Sequence, residues 1–145
     1  HRHDRKHGAP ASRESVAILT GCVQEGLYGR VNRDTEYVLE QNGYEVVEAP
    51  AQQCCGALHA HSGELDRSRE MARRNIEAFE QSGAELIIVN AAGCGAQMKQ
   101  YAELLEHDAE WSSRATAQDA IDHARLSLRP EGGRRRGGRG RRGRG

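Results

Sequence analysis

Four cysteines, each placed just beyond a short apolar run, constrain this 145-residue chain more than any other feature. Val16–Thr20 precedes Cys22. Tyr44–Glu48, ended by Pro50, precedes Cys54 and Cys55. Leu86–Val89, inside Glu85–Asn90, precedes Cys94. Runs of this length between turn residues read as strands, and the last is apolar enough to be covered on both faces. The intervening segments have helical spacing. Val31–Gln41 sets Val31, Thr35, Val38 and Leu39 on one face and stops at Asn42-Gly43, while Glu64–Gln81 buries Leu65, Ser68, Ala72, Ile76 and Phe79. A helix to about Glu106 carries Met98, Tyr101, Ala102 and Leu105 as a core stripe, and Ala115–Leu128 reads as one more. This alternation predicts an α/β fold in three layers: a short, mostly parallel sheet with helices packed on it through right-handed crossovers. In such a sheet the loops after the strands share the carboxyl edge, where ligands bind. The four cysteines are therefore expected on loops that converge there.

Glycines flank these cysteines: Gly21, Gly56, Gly93 and Gly95. They permit tight turns, so that backbone N–H groups point at sulfur and stabilise thiolate. No Lys or Arg adjoins a cysteine, so neutral dipoles have to supply this help. Four thiolates hold either an iron–sulfur cluster or a tetrahedral zinc. The spacing matches neither the paired CxxC of a zinc ribbon nor a bacterial ferredoxin run. Buried, inert thiols are the plain alternative. A Cys54–Cys55 disulfide is disfavoured, because neighbouring residues fit its geometry poorly. His59 and His61 follow the double cysteine. His59 is the better candidate for a further ligand or proton carrier, against a plain role in capping the next helix.

The charge is divided. Arg129–Gly145 holds eight Arg and one Glu, while the 128 residues before it hold 13 basic and 20 acidic side chains. An acidic body gives no electrostatic reason to bind nucleic acid. The Arg/Gly segment lacks interleaved aromatics and is expected to bind RNA weakly at most. The expected organisation is a flexible lead-in over 1–14, one domain over 15–128 and a disordered tail over 129–145. No apolar run reaches the length of a membrane helix, and His1–Ser12 lacks the apolar stretch of a signal peptide. A cytoplasmic setting is expected, where reduced thiols serve metal or redox chemistry.

Cys22, Cys54-Cys55-Gly56 and Cys94 occur in order, with thirty-one residues before the pair and thirty-eight between Cys55 and Cys94. This pattern resembles the cysteine-rich CCG domain of heterodisulfide reductase, lactate-utilization and anaerobic glycerol-3-phosphate dehydrogenase subunits. Leu19–Gln24 (LTGCVQ), Cys54–His61 (CCGALHAH) and Asn90–Ala96 (NAAGCGA) read most like the first such repeat of the glycolate oxidase iron–sulfur subunit. The resemblance spans Ser15 to Trp111. It implies an iron–sulfur cluster of the 4Fe-4S type, with zinc as the alternative, held by Cys22, Cys54, Cys55 and Cys94. It implies electron transfer from flavin-containing 2-hydroxy-acid oxidase subunits, at the inner membrane face through those partners, with no catalysis by this chain alone. Many CCG domains close on CxxC, which would place a fifth cysteine where Gln97 stands. That departure weakens the five-cysteine, double-cluster reading. The family's full subunit also carries a ferredoxin-like part and two CCG repeats, so this chain is expected to be an internal piece of one.

Overall fold

A computed structural model describes residues 13–122. The elements are β1 (Ser15–Leu19), α1 (Val23–Gln41), β2 (Glu45–Val46), α2 (Ala57–His61), α3 (Leu65–Ser82), β3 (Leu86–Val89), α4 (Ala92–Lys99), α5 (Tyr101–Leu104) and α6 (Ala109–Asp122). The strands lie in the order β2-β1-β3, and both pairings are parallel. Val16, Ala17, Ile18 and Leu19 stand opposite Leu86, Ile87, Ile88 and Val89. The fold is the expected α/β sandwich with an open parallel sheet.

Side chains alternate across a strand, so this register sorts the core into two layers. Ala17, Leu19 and Ile87 pack with Ala72, Ile76 and Phe79 of α3 and with Met98, Tyr101, Leu105 and Ala115. Val16, Ile18 and Leu86 face the other way, against Leu39 of α1. The α3 helix buries Ser68, Ala72, Asn75, Ile76, Ala78 and Phe79 along one side. It stops at Gly83, whose φ of 69° places it in the left-handed region that ends helices. Leu65, expected on the buried side, is exposed in the first turn.

The elements depart from the expectations in several places. The first helix begins at Val23 rather than Val31, with a kink at Tyr28 (φ −131°, ψ 28°). Its buried positions are Gly29, Asn32 and Leu39, while Val31 and Val38 are 43% exposed. Asn32 turns inward because it has polar work there. Its Nδ2 donates to the Thr20 carbonyl (3.0 Å) and to Glu25 (2.8 Å), and its Oδ1 accepts from Asn90 (2.9 Å). The second strand is only two residues long, because the side chain of Gln52 does the work of a longer one. It accepts from the Thr20 N–H (2.9 Å) and donates to the Ile18 carbonyl (3.0 Å). A short helix, α2, follows the double cysteine where a loop was expected. The single helix expected through Glu106 is split into α4 and α5 at Gln100, and α6 starts at Ala109 instead of Ala115. The expected extension of α6 to Leu128, the lead-in over 1–12 and the tail over 129–145 lie outside the described residues.

The burial contrast along α1 is testable. Leu39→Ala should cost about 2–4 kcal/mol, as core truncations do, and Val31→Ala less than about 0.5 kcal/mol. Urea denaturation of the two variants checks this. Equal losses would mean that Val31 is covered after all.

Candidate metal centre

The carboxyl edge of the sheet gathers all four cysteines. Cys22 is the N-cap residue of α1. Cys54 and Cys55 lie on the loop that leads into α2, and Cys94 sits in the first turn of α4 rather than on the loop before it. The sulfurs of Cys22 and Cys54 are 3.2 Å apart. Cys55 makes its thiol contact with Cys94 and also feels the charge of Cys22. The four thiols thus form two linked pairs. They are graded in depth: Cys22 is exposed, Cys54 and Cys94 are half-buried, and Cys55 is 3% exposed within the core.

Polar side chains bring the three loops into register. Gln52 ties the Cys54 loop to the end of β1, while Asn32 and Asn90 tie the middle of α1 to the end of β3. Behind the cysteine pair, three buried polar residues hold its main chain and a fourth backs one of them. Asn75 donates to the Cys54 carbonyl (3.0 Å) and accepts from the Gln53 N–H (2.6 Å). The Tyr101 hydroxyl donates to the Cys55 carbonyl (2.8 Å) and Ser68 to the Gly56 carbonyl (3.1 Å). Gln97 donates to the Ser68 hydroxyl (3.4 Å). None of the four was singled out as a site residue from the sequence. The available signal was a polar residue recurring on an otherwise apolar helix face, at Ser68 and seven positions later at Asn75.

The flanking glycines differ in what they do. Gly56 has φ 86°, and a Cβ there would meet the Ser68 hydroxyl at 3.0 Å. Gly21 has φ 69°, and its Cβ would stand 3.9 Å from the Cys94 sulfur. Gly93 has open space beside it, and Gly95 meets only Val89, at 3.9 Å. His59 points its Nδ1 at the Glu64 carboxylate (3.0 Å), and His61 is exposed at the end of α2. A neighbouring cavity of about 350 Å³, lined by Thr20, Glu25, Asn32, Arg33 and Gln52 among others, has no cysteine in its wall.

The electrostatics describe a site short of positive charge. Burial pushes the thiols of Cys54 and Cys55 up to about 11. The N–H groups of Gly56 and Ala57, directed at these two sulfurs, pull the values partly back, and the neighbouring thiols push them up again. Burial also raises the Tyr101 phenol above its usual range, despite the hydrogen bond from Asn75. As they stand, no three His, Cys, Asp or Glu groups among the described residues form a set that would hold a metal ion. The donor set nonetheless fits a thiophilic cation: sulfur donors, two N–H groups for thiolate, and no competing positive side chain among the charges that shift Cys54 and Cys55. Such a cation would supply the charge that lets buried thiols lose their protons.

The family profile described as "CCG: Cysteine-rich domain" matches residues 16–99. The probable glycolate oxidase iron-sulfur subunit of Bacillus subtilis is 43% identical over 105 residues, 72% of this chain and 24% of that protein. The glycolate oxidase iron-sulfur subunit of Escherichia coli is 36% identical over 121 residues, 80% of this chain and 30% of that protein. Lactate utilization protein A of an Exiguobacterium species is 34% identical over 106 residues, 73% of this chain and 43% of that protein. The chain thus spans about a quarter to two fifths of the length of these relatives. No solved structure matches it. Among the described residues no helix is long and apolar enough to cross a membrane.

The raised thiols make metal-free stability depend on pH. Below the ordinary thiol value of 9.0, folded and unfolded states both keep these protons. Between 9.0 and about 11 the unfolded chain releases them while the folded one holds them. Stability is therefore lost as pH rises through this window. Urea midpoints of reduced, metal-free protein should fall across it, and a Cys54→Ser/Cys55→Ser variant should show a flatter profile. Equal slopes would mean that the two thiols are not desolvated.

Proposed function

The chain belongs to the CCG cysteine-rich domain family, and from that premise we propose that it is an electron-carrying domain holding an iron–sulfur cluster through Cys22, Cys54, Cys55 and Cys94. The observation that carries this is the meeting of thiols from three separate segments at one sheet edge, with two backbone N–H groups turned toward them. Four sulfur donors suit a cluster of the 4Fe-4S type. When bound, such a cluster accepts and releases one electron at a time. The residues of this chain hold it, tune it and keep water from its inner flank. Cys55 and the core around Tyr101 form that inner flank, and the exposed Cys22 forms the outer one. His59 is assigned to Glu64 rather than to the cluster.

The names of the relatives support placing this domain in a complex of the glycolate oxidase or lactate-utilization type. In that reading electrons arrive from a flavin-bearing partner subunit that oxidises a 2-hydroxy acid. The complex works in the cytoplasm, at the inner membrane face where its partners bring it. The domain runs over 15–128, and the Arg/Gly segment from Arg129 takes no part in holding the cluster.

Anaerobic reconstitution should load iron and acid-labile sulfide. Cys54→Ser or Cys94→Ser should remove most of both, and truncation after Leu128 should leave both unchanged. Stoichiometric zinc without sulfide, in protein never exposed to air, would replace this reading with a structural zinc module.

The loaded chain alone should not reduce a dye with glycolate, D-lactate or L-lactate. Oxidising such a substrate requires an acceptor such as flavin or nicotinamide. The first turn, Gly21–Gly26, carries Cys22 where a dinucleotide fold sets its phosphate loop. Robust turnover by the chain alone would place the active site here instead of on a partner.

A further inference from the structure

We infer that Tyr101 and Ser68 are positioning residues for the sulfur site: each fixes, through one peptide plane, the backbone N–H that points at a cysteine sulfur. In a trans peptide the C=O of one residue and the N–H of the next lie in one plane and point in opposite directions. No cis peptide occurs among the described residues. The Tyr101 hydroxyl holds the Cys55 carbonyl at 2.8 Å, and the N–H of that same peptide, on Gly56, is the one directed at the Cys54 sulfur. The Ser68 hydroxyl (3.1 Å) and the Ala60 N–H (3.0 Å) both donate to the Gly56 carbonyl, and the N–H of that peptide, on Ala57, is the one directed at the Cys55 sulfur. Two core hydroxyls thus set the direction of two consecutive peptide dipoles.

The arrangement is rigid because every member is buried and braced. Ser68, Asn75 and Tyr101 are 0% exposed, and Gln97 is 5% exposed. Asn75 donates to the Tyr101 oxygen (3.2 Å), leaving the phenolic hydrogen free for the Cys55 carbonyl. Gln97 approaches the Ser68 hydroxyl from the other side. Gly56 lies so close to Ser68 that a Cβ would touch both the hydroxyl and, at 3.3 Å, the Ser68 carbonyl. Its left-handed backbone is what turns the chain so that both N–H groups face the sulfurs. Released from Tyr101, the Cys55 carbonyl frees its plane to rotate, and rotation swings the Gly56 N–H off its sulfur; the Gly56 carbonyl released from Ser68 keeps the Ala60 N–H, so its plane turns less.

The consequence for a bound cluster rests on the reading given under Proposed function. N–H donors aimed at ligand sulfur favour the reduced, more negative state, so each lost donor lowers the midpoint potential. Tyr101→Phe and Ser68→Ala, made in the full chain, separate this from plain packing. In metal-free protein, Tyr101→Phe should raise amide hydrogen exchange by about tenfold at Gly56 and less at Ala57. Ser68→Ala should do the reverse to a smaller extent, because the Ala60 N–H still holds the Gly56 carbonyl. In loaded protein, both should shift the midpoint potential to more negative values in a spectroelectrochemical titration. A core control, Phe79→Leu, should lower stability and move neither reading. Unchanged exchange at both amides, a uniform rise along α2 and α3, or wild-type potentials in both variants would overturn the inference. Each variant decides its own peptide, so a failure of one to fold leaves the other decisive. If the wild-type chain takes up no iron and sulfide, the cluster reading falls, and the exchange pattern alone then decides the brace.

Discussion

Parallel pairing on both sides of β1 is the constraint on which the rest depends. It forces the chain to return to the same end of the sheet after each strand, so that the exits of β1, β2 and β3 face one edge. Cys22, the Cys54-Cys55 pair and Cys94 are brought together by this topology. The sheet itself is small, and β2 pairs through only two residues. What extends it is a side chain, Gln52, bonding to main-chain groups of Ile18 and Thr20 beyond the last β2 pair. The strand therefore yields to an irregular segment sooner than its apolar run suggests, which leaves room for the loop that carries two of the sulfurs.

A second feature is the use of polar groups inside an apolar layer. Buried polar atoms are costly unless satisfied. In the core layer beneath the cysteines, Ser68, Asn75, Gln97 and Tyr101 all find partners, and three of them take the successive carbonyls of residues 54 to 56. An irregular main chain can be buried there only because side chains replace the bonds a helix or strand would have given it. Cys55 thus reaches deep into the core while remaining beside Cys94 and Cys22.

Much of this was legible in the sequence, and the reasons for the rest are local. The strand positions, the α3 helix and the convergence of cysteines followed from apolar runs and spacing, because those patterns report burial directly. The α1 face was misread, since Val31 and Val38 have the right period but, among the described residues, α1 is the one helix on that side of the sheet, and Asn32 took the inward position. The extent of β2 was overestimated because a glutamine side chain can stand in for strand backbone without leaving any periodic trace. Tyr101 was recognised as core, but its hydroxyl was invisible to a reading that counts only apolar spacing. Gln97, noticed solely as a missing cysteine, turned out to be a buried member of the brace. The orientation of His59 also had to wait for coordinates, which turn its Nδ1 toward Glu64.

The graded depth of the four thiols has an effect beyond ligation. Any group held between them would straddle a dielectric boundary, with Cys55 inside the apolar core layer on one flank and the exposed Cys22 on the other. Water would reorganise in response to a change of charge on the outer flank, while the packed inner flank would respond little. The coupling of such a group to its surroundings would therefore be lopsided. Its natural direction of exchange would run through the mouth at the N-cap of α1, with the core acting as a fixed wall behind it.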